Sequence, residues 1–128
     1  MPLNVRVEEG RSFTKTLVLE GRLDSDTVAT LDRDLDAVLA SPVKVVVFEL
    51  SKLEYISSAG LRSLFQARKS MKARAGKVLI LNPQPPVQKV FDIVKATDVN
   101  EVFRSVAELD AYLDAMQKQV AGEDSATD

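Results

Sequence analysis

Hydrophobic and polar residues alternate along the first part of the chain. Leu3, Val5 and Val7 are separated by polar residues, and this period of two predicts a strand with one buried face. A turn at residues 9–12 leads to a second predicted strand over residues 13–20, which ends at a glycine. Because the connection is short, we expect the two strands to form an antiparallel hairpin.

The middle of the chain alternates between helical and strand-like patterns. Apolar residues at helical spacing predict a first helix over residues 28–39 and a second over residues 59–75. The apolar, β-branched run at residues 43–50 is typical of a central strand covered on both faces, and residues 51–56 are predicted to form a loop. Residues 77–81 predict another buried strand.

The last third of the chain has clear helix starts. A proline-rich segment is predicted to be a loop, and Pro86 can open a third helix. A short strand is predicted at residues 101–103. Ser105 and Glu108 form a capping box, which predicts the start of a fourth helix.

Strands alternating with helices define an α/β fold. We expect a mixed β-sheet with an N-terminal antiparallel hairpin followed by parallel strands, and about four helices. The length of 128 residues fits one domain. We place that domain at residues 1–121 and expect a disordered acidic tail at residues 122–128.

Composition then removes whole classes of chemistry. The chain has no His, no Cys and no Trp, which excludes zinc sites built on His or Cys, Ser-His and Cys-His nucleophile pairs, haem ligation and disulfides. We therefore expect no catalytic site, no metal and no cofactor. The net charge of −2 argues against a protein whose main partner is nucleic acid.

The hydrophobic runs are too short for a membrane protein. None approaches the roughly 20 residues that a transmembrane helix needs, and the first residues lack the apolar core of a signal peptide. We expect a cytoplasmic protein that does not insert into membranes, and we favour a monomer.

The charges are segregated along the chain. Residues 62–77 contain six basic and no acidic side chains, whereas residues 20–36 and 108–128 are mainly acidic. Such runs are often solvated helix faces. They can also steer a partner, and on a helical wheel Arg62, Gln66 and Lys69 fall on the side opposite the apolar stripe.

Two serines stand where the second helix starts, after the central strand. Ser57 and Ser58 lack the preceding glycine of a hydrolase nucleophile elbow, and the chain has no phosphate-binding loop motif. One interpretation is that a serine caps the helix. The other is that one serine is phosphorylated, because the free N–H groups and dipole of a helix N-terminus favour a phosphate.

Three segments resemble the STAS-domain family, in particular the bacterial anti-sigma-factor antagonists. They are Gly21-Arg22-Leu23-Asp24, Phe48-Glu49-Leu50 and Tyr55-Ile56-Ser57-Ser58-Ala59-Gly60-Leu61-Arg62. The resemblance covers about residues 3–117. It implies partner switching in transcription regulation: the unphosphorylated domain binds an anti-sigma factor that is also a serine kinase, and phosphorylation ends the binding. A PP2C-type phosphatase reverses the modification.

The resemblance also implies site residues. Ser58 matches the phosphorylated serine, and Asp24 matches an aspartate that lies near it. Many members carry Asp where this chain has Ser57, so Ser57 is a second, weaker candidate for phosphorylation. We expect the partner-binding surface to comprise Asp24, Ser57, Ser58, Ala59, Gly60, Leu61, Arg62, Gln66 and Lys69.

One alternative function remains open at this point. Other STAS domains act without phosphorylation as scaffolds or accessory subunits of lipid-transport or stress-signalling complexes. In that case Ser58 would only cap the second helix.

Overall fold

The computed structural model describes residues 2–96 and 106–126. This part of the chain forms four strands and four helices. The strands are β1 (Leu3–Glu9), β2 (Thr14–Leu23), β3 (Val45–Ile56) and β4 (Lys77–Leu81). The helices are α1 (Val28–Leu39), α2 (Ser58–Ala73), α3 (Pro85–Ala96) and α4 (Val106–Ala126).

The four strands form one mixed sheet in the order β1-β2-β3-β4. β1 pairs with β2 antiparallel, and β3 is parallel to both β2 and β4. α1 connects β2 to β3, and α2 connects β3 to β4, as parallel neighbours require a crossover. The predicted α/β class and the hairpin followed by parallel strands are confirmed.

The core lies between the sheet and the apolar stripes of the helices. Leu17, Leu19 and Leu23 alternate along β2 and are fully buried, as is Phe48 of β3. Helix α1 adds a buried stripe of three residues at helical spacing, Leu31, Leu35 and Val38. Burying a side chain of this size stabilises the fold by about 1.5–3 kcal/mol.

Two strands extend beyond their predicted ends. β2 continues past Gly21, whose φ of 112° suits only glycine and whose missing side chain makes room for the Pro2 carbonyl. β3 continues through residues 51–56, where the sequence predicts a loop, because the longer β2 supplies it with a pairing partner. The last pair in this ladder is Leu23 beside Ile56, so the end of β2 lies beside the end of β3, where α2 begins.

β4 is more exposed than the sequence predicts. Leu79, Ile80 and Leu81 are 43%, 36% and 44% exposed, so the prediction of a buried strand was wrong. β4 lies at the edge of the described sheet, and apolar composition alone does not distinguish an edge strand from an interior one. The strand predicted at residues 101–103 lies outside the described residues.

The C-terminus of helix α1 is capped by the side chain of Arg74, the residue that follows α2. The Arg74 guanidinium donates hydrogen bonds to the carbonyl oxygens of Leu39 at 2.7 Å and Ser41 at 3.0 Å. The last carbonyls of a helix have no intrahelical donors, and a cation there complements the helix dipole. Arg74 therefore serves the fold, although the sequence groups it with the basic run at residues 62–77.

Helix α4 is longer than the sequence predicts. It continues through Ala126, whereas the sequence predicts a disordered tail from residue 122. An established helix gains one hydrogen bond for each added residue, which favours its extension through polar sequence. Across residues 2–96 and 106–126, no helix has the length and hydropathy of a membrane span.

Candidate functional site

The start of α2 is fixed to the ends of two strands. Leu23 and Ile56 are paired at the end of the β2–β3 ladder. The Ser57 N–H donates to the Leu23 carbonyl oxygen at 2.9 Å. The strand-to-helix turn that holds both serines is therefore anchored on the β2 side by the main chain.

Ser57 occupies the N-cap position of α2 without using its side chain. Its backbone is extended, and its carbonyl oxygen accepts from the Leu61 N–H at 2.9 Å. The Ser57 hydroxyl is buried and has no hydrogen-bond partner among the described residues. The side-chain cap that the sequence allows is thus absent at Ser57, and its hydroxyl lies inside the protein.

Ser58 is the first residue of α2 and is half-buried. Its N–H donates to Oδ1 of Asp110 at 2.9 Å. This N–H belongs to the first helical turn and has no acceptor within the helix. Because the Asp110 carboxylate also complements the positive end of the helix dipole, it caps α2 from a different helix. We call this contact the Asp110 cap.

Three polar side chains of α4 face the segment that leads into α2. Asp110, Asp114 and Gln117 are spaced by four and three residues, so they lie on one side of the helix, which we call the α4 stripe. Gln117 is buried, and its side chain accepts from the Ile56 N–H at 2.9 Å and donates to the Ile56 carbonyl at 2.8 Å. The α4 stripe therefore holds the end of β3 and the start of α2 together.

Tyr55 connects the α4 stripe to the end of β2. Burial raises the pKa of the Tyr55 hydroxyl, and the negative charge of the Asp114 carboxylate raises this pKa further. On the other side, the Arg22 guanidinium lies over the Tyr55 ring, 3.9 Å from its centre. The Arg22 Nε is also 3.8 Å from a carboxylate oxygen of Asp24.

Asp24 organises the turn between β2 and α1. Its Oδ1 accepts from the N–H groups of Asp26 at 3.0 Å and Thr27 at 3.1 Å. The Thr27 hydroxyl in turn donates to the Arg22 carbonyl oxygen at 2.8 Å. The predicted site residue Asp24 therefore stabilises this turn. It is the next residue in the chain after Leu23, whose carbonyl oxygen accepts from Ser57.

The exposed side of α2 carries part of the predicted partner-binding surface. Arg62, Gln66 and Lys69 are exposed and lie at successive turns of the helix. We call these three residues the outer face of α2. Ala59 is half-buried at its N-terminal end. The outer face therefore begins one turn after Ser58 and is positively charged.

Three predicted surface residues lie inside the protein. Ser57 and Leu61 are 5% and 4% exposed, and Gly60 is also buried. A Cβ on Gly60 would lie 2.6 Å from Cγ of Leu23, so glycine is required here for α2 to pack on β2. The prediction that these three residues contact a partner does not fit their burial.

The sequence predictions missed the α4 stripe. The acidic residues 108–128 were interpreted only as a charge run, separate from the serine segment. The available signal was the spacing of Asp110, Asp114 and Gln117, which places three polar groups on one side of a helix. Helical spacing does not show which distant segment that side contacts.

Comparison with known proteins identifies the family of the chain. The family model for the STAS domain matches residues 4–109. An anti-sigma factor antagonist of Bordetella bronchiseptica, BtrV, is 33% identical over 75 residues, which are 59% of this chain and 65% of that protein. The match thus spans just under two thirds of this relative. An anti-sigma F factor antagonist of Lysinibacillus sphaericus is 28% identical over 79 residues, covering 61% of this chain and 68% of that protein.

Solved structures share the fold. The anti-sigma factor antagonist SpoIIAA in its unphosphorylated form superposes with a TM-score of 0.61 at 23% identity, covering 70% of this chain and 82% of SpoIIAA. Its phosphorylated form gives a TM-score of 0.60. The chain belongs to the STAS-domain family, and the curated relatives to which it is similar are anti-sigma factor antagonists.

Proposed function

We propose that this protein is an anti-sigma factor antagonist controlled by phosphorylation of Ser58. With Ser58 unmodified, the start and outer face of α2 bind an anti-sigma factor that is also a serine kinase. Phosphorylation of Ser58 ends this binding, and a PP2C-type phosphatase restores it. The protein acts in the cytoplasm as a binding module and has no catalytic activity of its own.

The observation that carries this proposal is the position of Ser58. It is the first residue of α2 and only half-buried, whereas the adjacent Ser57 is buried. Among the described residues, no hydrogen bond engages the Ser58 hydroxyl, since the contact with Asp110 uses the backbone N–H. Of the two candidate serines, Ser58 is therefore the one that a kinase can reach without unfolding the turn.

The modification changes the charge at one end of a binding surface. The kinase transfers the γ-phosphoryl group of ATP to Oγ of Ser58: the Oγ–P bond forms, the bond between phosphorus and the bridging oxygen breaks, and ADP and the hydroxyl proton leave. The product carries about −1.5 to −2 charges one turn from Arg62. A surface that offered a cation to its partner then offers an anion beside it, and like charges across an interface cost several kcal/mol.

Phosphorylation and binding can be tested on two variants. Incubation with the cognate kinase and ATP should add one phosphate to the wild type and none to Ser58→Ala, as measured by mass spectrometry. In a binding assay, Ser58→Glu should bind the kinase at least about tenfold more weakly than the wild type, because it places a carboxylate at the interface. Ser58→Ala should bind normally but should not be released by ATP.

Ser57→Ala is the matched control, because it removes the neighbouring hydroxyl from a buried position. It should be phosphorylated and released like the wild type. A phosphate that persists in Ser58→Ala, or wild-type affinity of Ser58→Glu, would contradict the proposal. Full function with no phosphate on either serine would instead favour the non-phosphorylated scaffold.

A further inference from the structure

We propose that the Asp110 cap is an internal sensor of the charge on Ser58, and that phosphorylation of Ser58 loosens the first turns of α4 from the start of α2. This inference rests on the proposed function, because it assigns Ser58 as the modified residue. It adds a positioning residue, Asp110, that lies 52 positions away in the chain. It also gives the modification an effect on the protein's own packing, beyond its effect on a partner.

A phosphate on Ser58 and the carboxylate of Asp110 would compete for the same place at the N-terminus of α2. The Asp110 carboxylate lies 2.9 Å from the Ser58 N–H, at the end of α2 where a negative charge is most stable. A phosphate attached to Ser58 seeks the same free N–H groups of the first turn. Both anions cannot occupy this position, because they would then repel one another at short range.

Carboxylates already lie near the place that a second anion would take. Asp114 follows Asp110 by one turn and lies on the same side of α4. The Arg22 guanidinium already lies over the Tyr55 ring and within 3.8 Å of Asp24, and Arg62 lies one turn along α2 from Ser58. A phosphate on Ser58 would therefore join a region in which two carboxylates of α4 already face the start of α2.

The rest of the α4 stripe limits how far the helix can move. Gln117 makes two hydrogen bonds to the Ile56 main chain, and Leu113 and Met116 are part of the buried core. We expect these contacts to persist when the Asp110 cap is lost. Release would thus be confined to the N-terminal turns of α4, up to about residue 113.

A double-mutant cycle on the free protein tests this coupling without a kinase. Asp110→Asn keeps the acceptor oxygen and removes the charge, so the domain should fold. Ser58→Glu should raise the unfolding equilibrium constant in the wild type, and this factor should be at least about threefold smaller in the Asp110→Asn background. The measurement is urea unfolding of the four proteins.

Two controls separate charge from size and from net charge. Ser58→Gln has the size of the glutamate without its charge, and its effect should be the same in both backgrounds. Asp36→Asn removes one charge from an exposed position on α1 and should leave the effect of Ser58→Glu unchanged. Equal effects of Ser58→Glu with and without the Asp110 charge would overturn the inference.

Amide hydrogen exchange locates the change. In Ser58→Glu, the amides of residues 110–113 should exchange at least about threefold faster than in the wild type, while those of β2 should not. Unchanged protection of residues 110–113 would also overturn the inference. Neither result depends on partner binding, so the two proposals can fail separately. A double-mutant cycle without coupling would contradict only this inference. Failure of the kinase to phosphorylate Ser58 would contradict only the proposed function.

Discussion

Among the described residues, two helix ends are closed by charged side chains from elsewhere in the fold. The C-terminus of α1 receives the Arg74 guanidinium from the end of α2, and the N-terminus of α2 receives the Asp110 carboxylate from α4. Both charges complement the helix dipole. The first cap uses two strong donor contacts, at 2.7 and 3.0 Å, and the second uses one.

The two caps differ in what surrounds them. An arginine stays charged at all physiological pH values, and Arg74 itself is held through its carbonyl oxygen by the Lys44 ammonium at 2.7 Å. The Asp110 cap lies on the N–H of a serine whose own hydroxyl is available. The same kind of contact thus gives a fixed cap on α1 and, as we propose, a cap on α2 that is sensitive to phosphorylation.

The largest expected effect comes from removing the side chain of Gln117, which holds the α4 stripe against the segment that leads into α2. Gln117→Ala leaves the N–H and carbonyl of Ile56 buried without partners, which should lower the free energy of unfolding by about 2–4 kcal/mol. Urea unfolding measures this loss. Gln66→Ala, at an exposed position on the outer face of α2, is the matched control and should stay within about 0.5 kcal/mol of the wild type. A similar loss in both variants would contradict the role of Gln117.

Removing the contact of Arg74 with the C-terminus of α1 should have the next largest effect. Arg74→Met keeps the length of the side chain but removes its donors, and should cost about 1–3 kcal/mol in unfolding free energy. The exposed arginine on the same helix, in Arg68→Met, controls for the loss of a positive charge. The cost at Arg74 should be the same with Ser58 or with Ser58→Glu. If the loss in unfolding free energy at Arg74 depends on residue 58, the Arg74 contact and the Asp110 cap are not independent.

The smallest effect concerns Tyr55. Its pKa is raised, so the folded state favours the neutral hydroxyl: this contribution is complete below the ordinary tyrosine pKa of about 10 and is lost as pH rises through the higher pKa of the folded state. The difference in unfolding free energy between wild type and Tyr55→Phe should therefore be constant at neutral pH and shrink above about pH 10. Tyr112→Phe, on the exposed side of α4, provides the matched control. A constant difference up to pH 11 would contradict the raised pKa of Tyr55.

The sequence predicted the fold better than it predicted the site. Alternation and helical spacing depend on near neighbours, so the hairpin, the parallel strands and the start of α2 were found. The end of β3 was missed because residues 51–56 form a strand only in the presence of the extended β2. The helix start directs attention to two adjacent serines, and the resemblance to the STAS family selects Ser58. The burial of Ser57 relative to Ser58 could not be predicted from the sequence.

The contacts that complete the site depend on long-range packing. Asp110 and Gln117 meet the Ile56–Ser58 segment across 52 and 61 residues of chain. A local pattern shows that they share one side of a helix and does not show what that side contacts. Gly60 shows the same limit: the sequence places it in the expected partner-binding surface, whereas in the structure its missing side chain provides space for Leu23.

The long separation between Ser58 and the α4 stripe also has a consequence for biosynthesis. A ribosome adds about 5–20 residues per second, and domains form from the N-terminal side as the chain emerges. The sheet and α2 can begin to assemble before residues 110–117 have been made. At that stage α2 lacks the Asp110 cap, and the main chain of Ile56 lacks its hydrogen bonds to Gln117. The complete form of the proposed phosphorylation site is thus one of the last parts of the domain to be built.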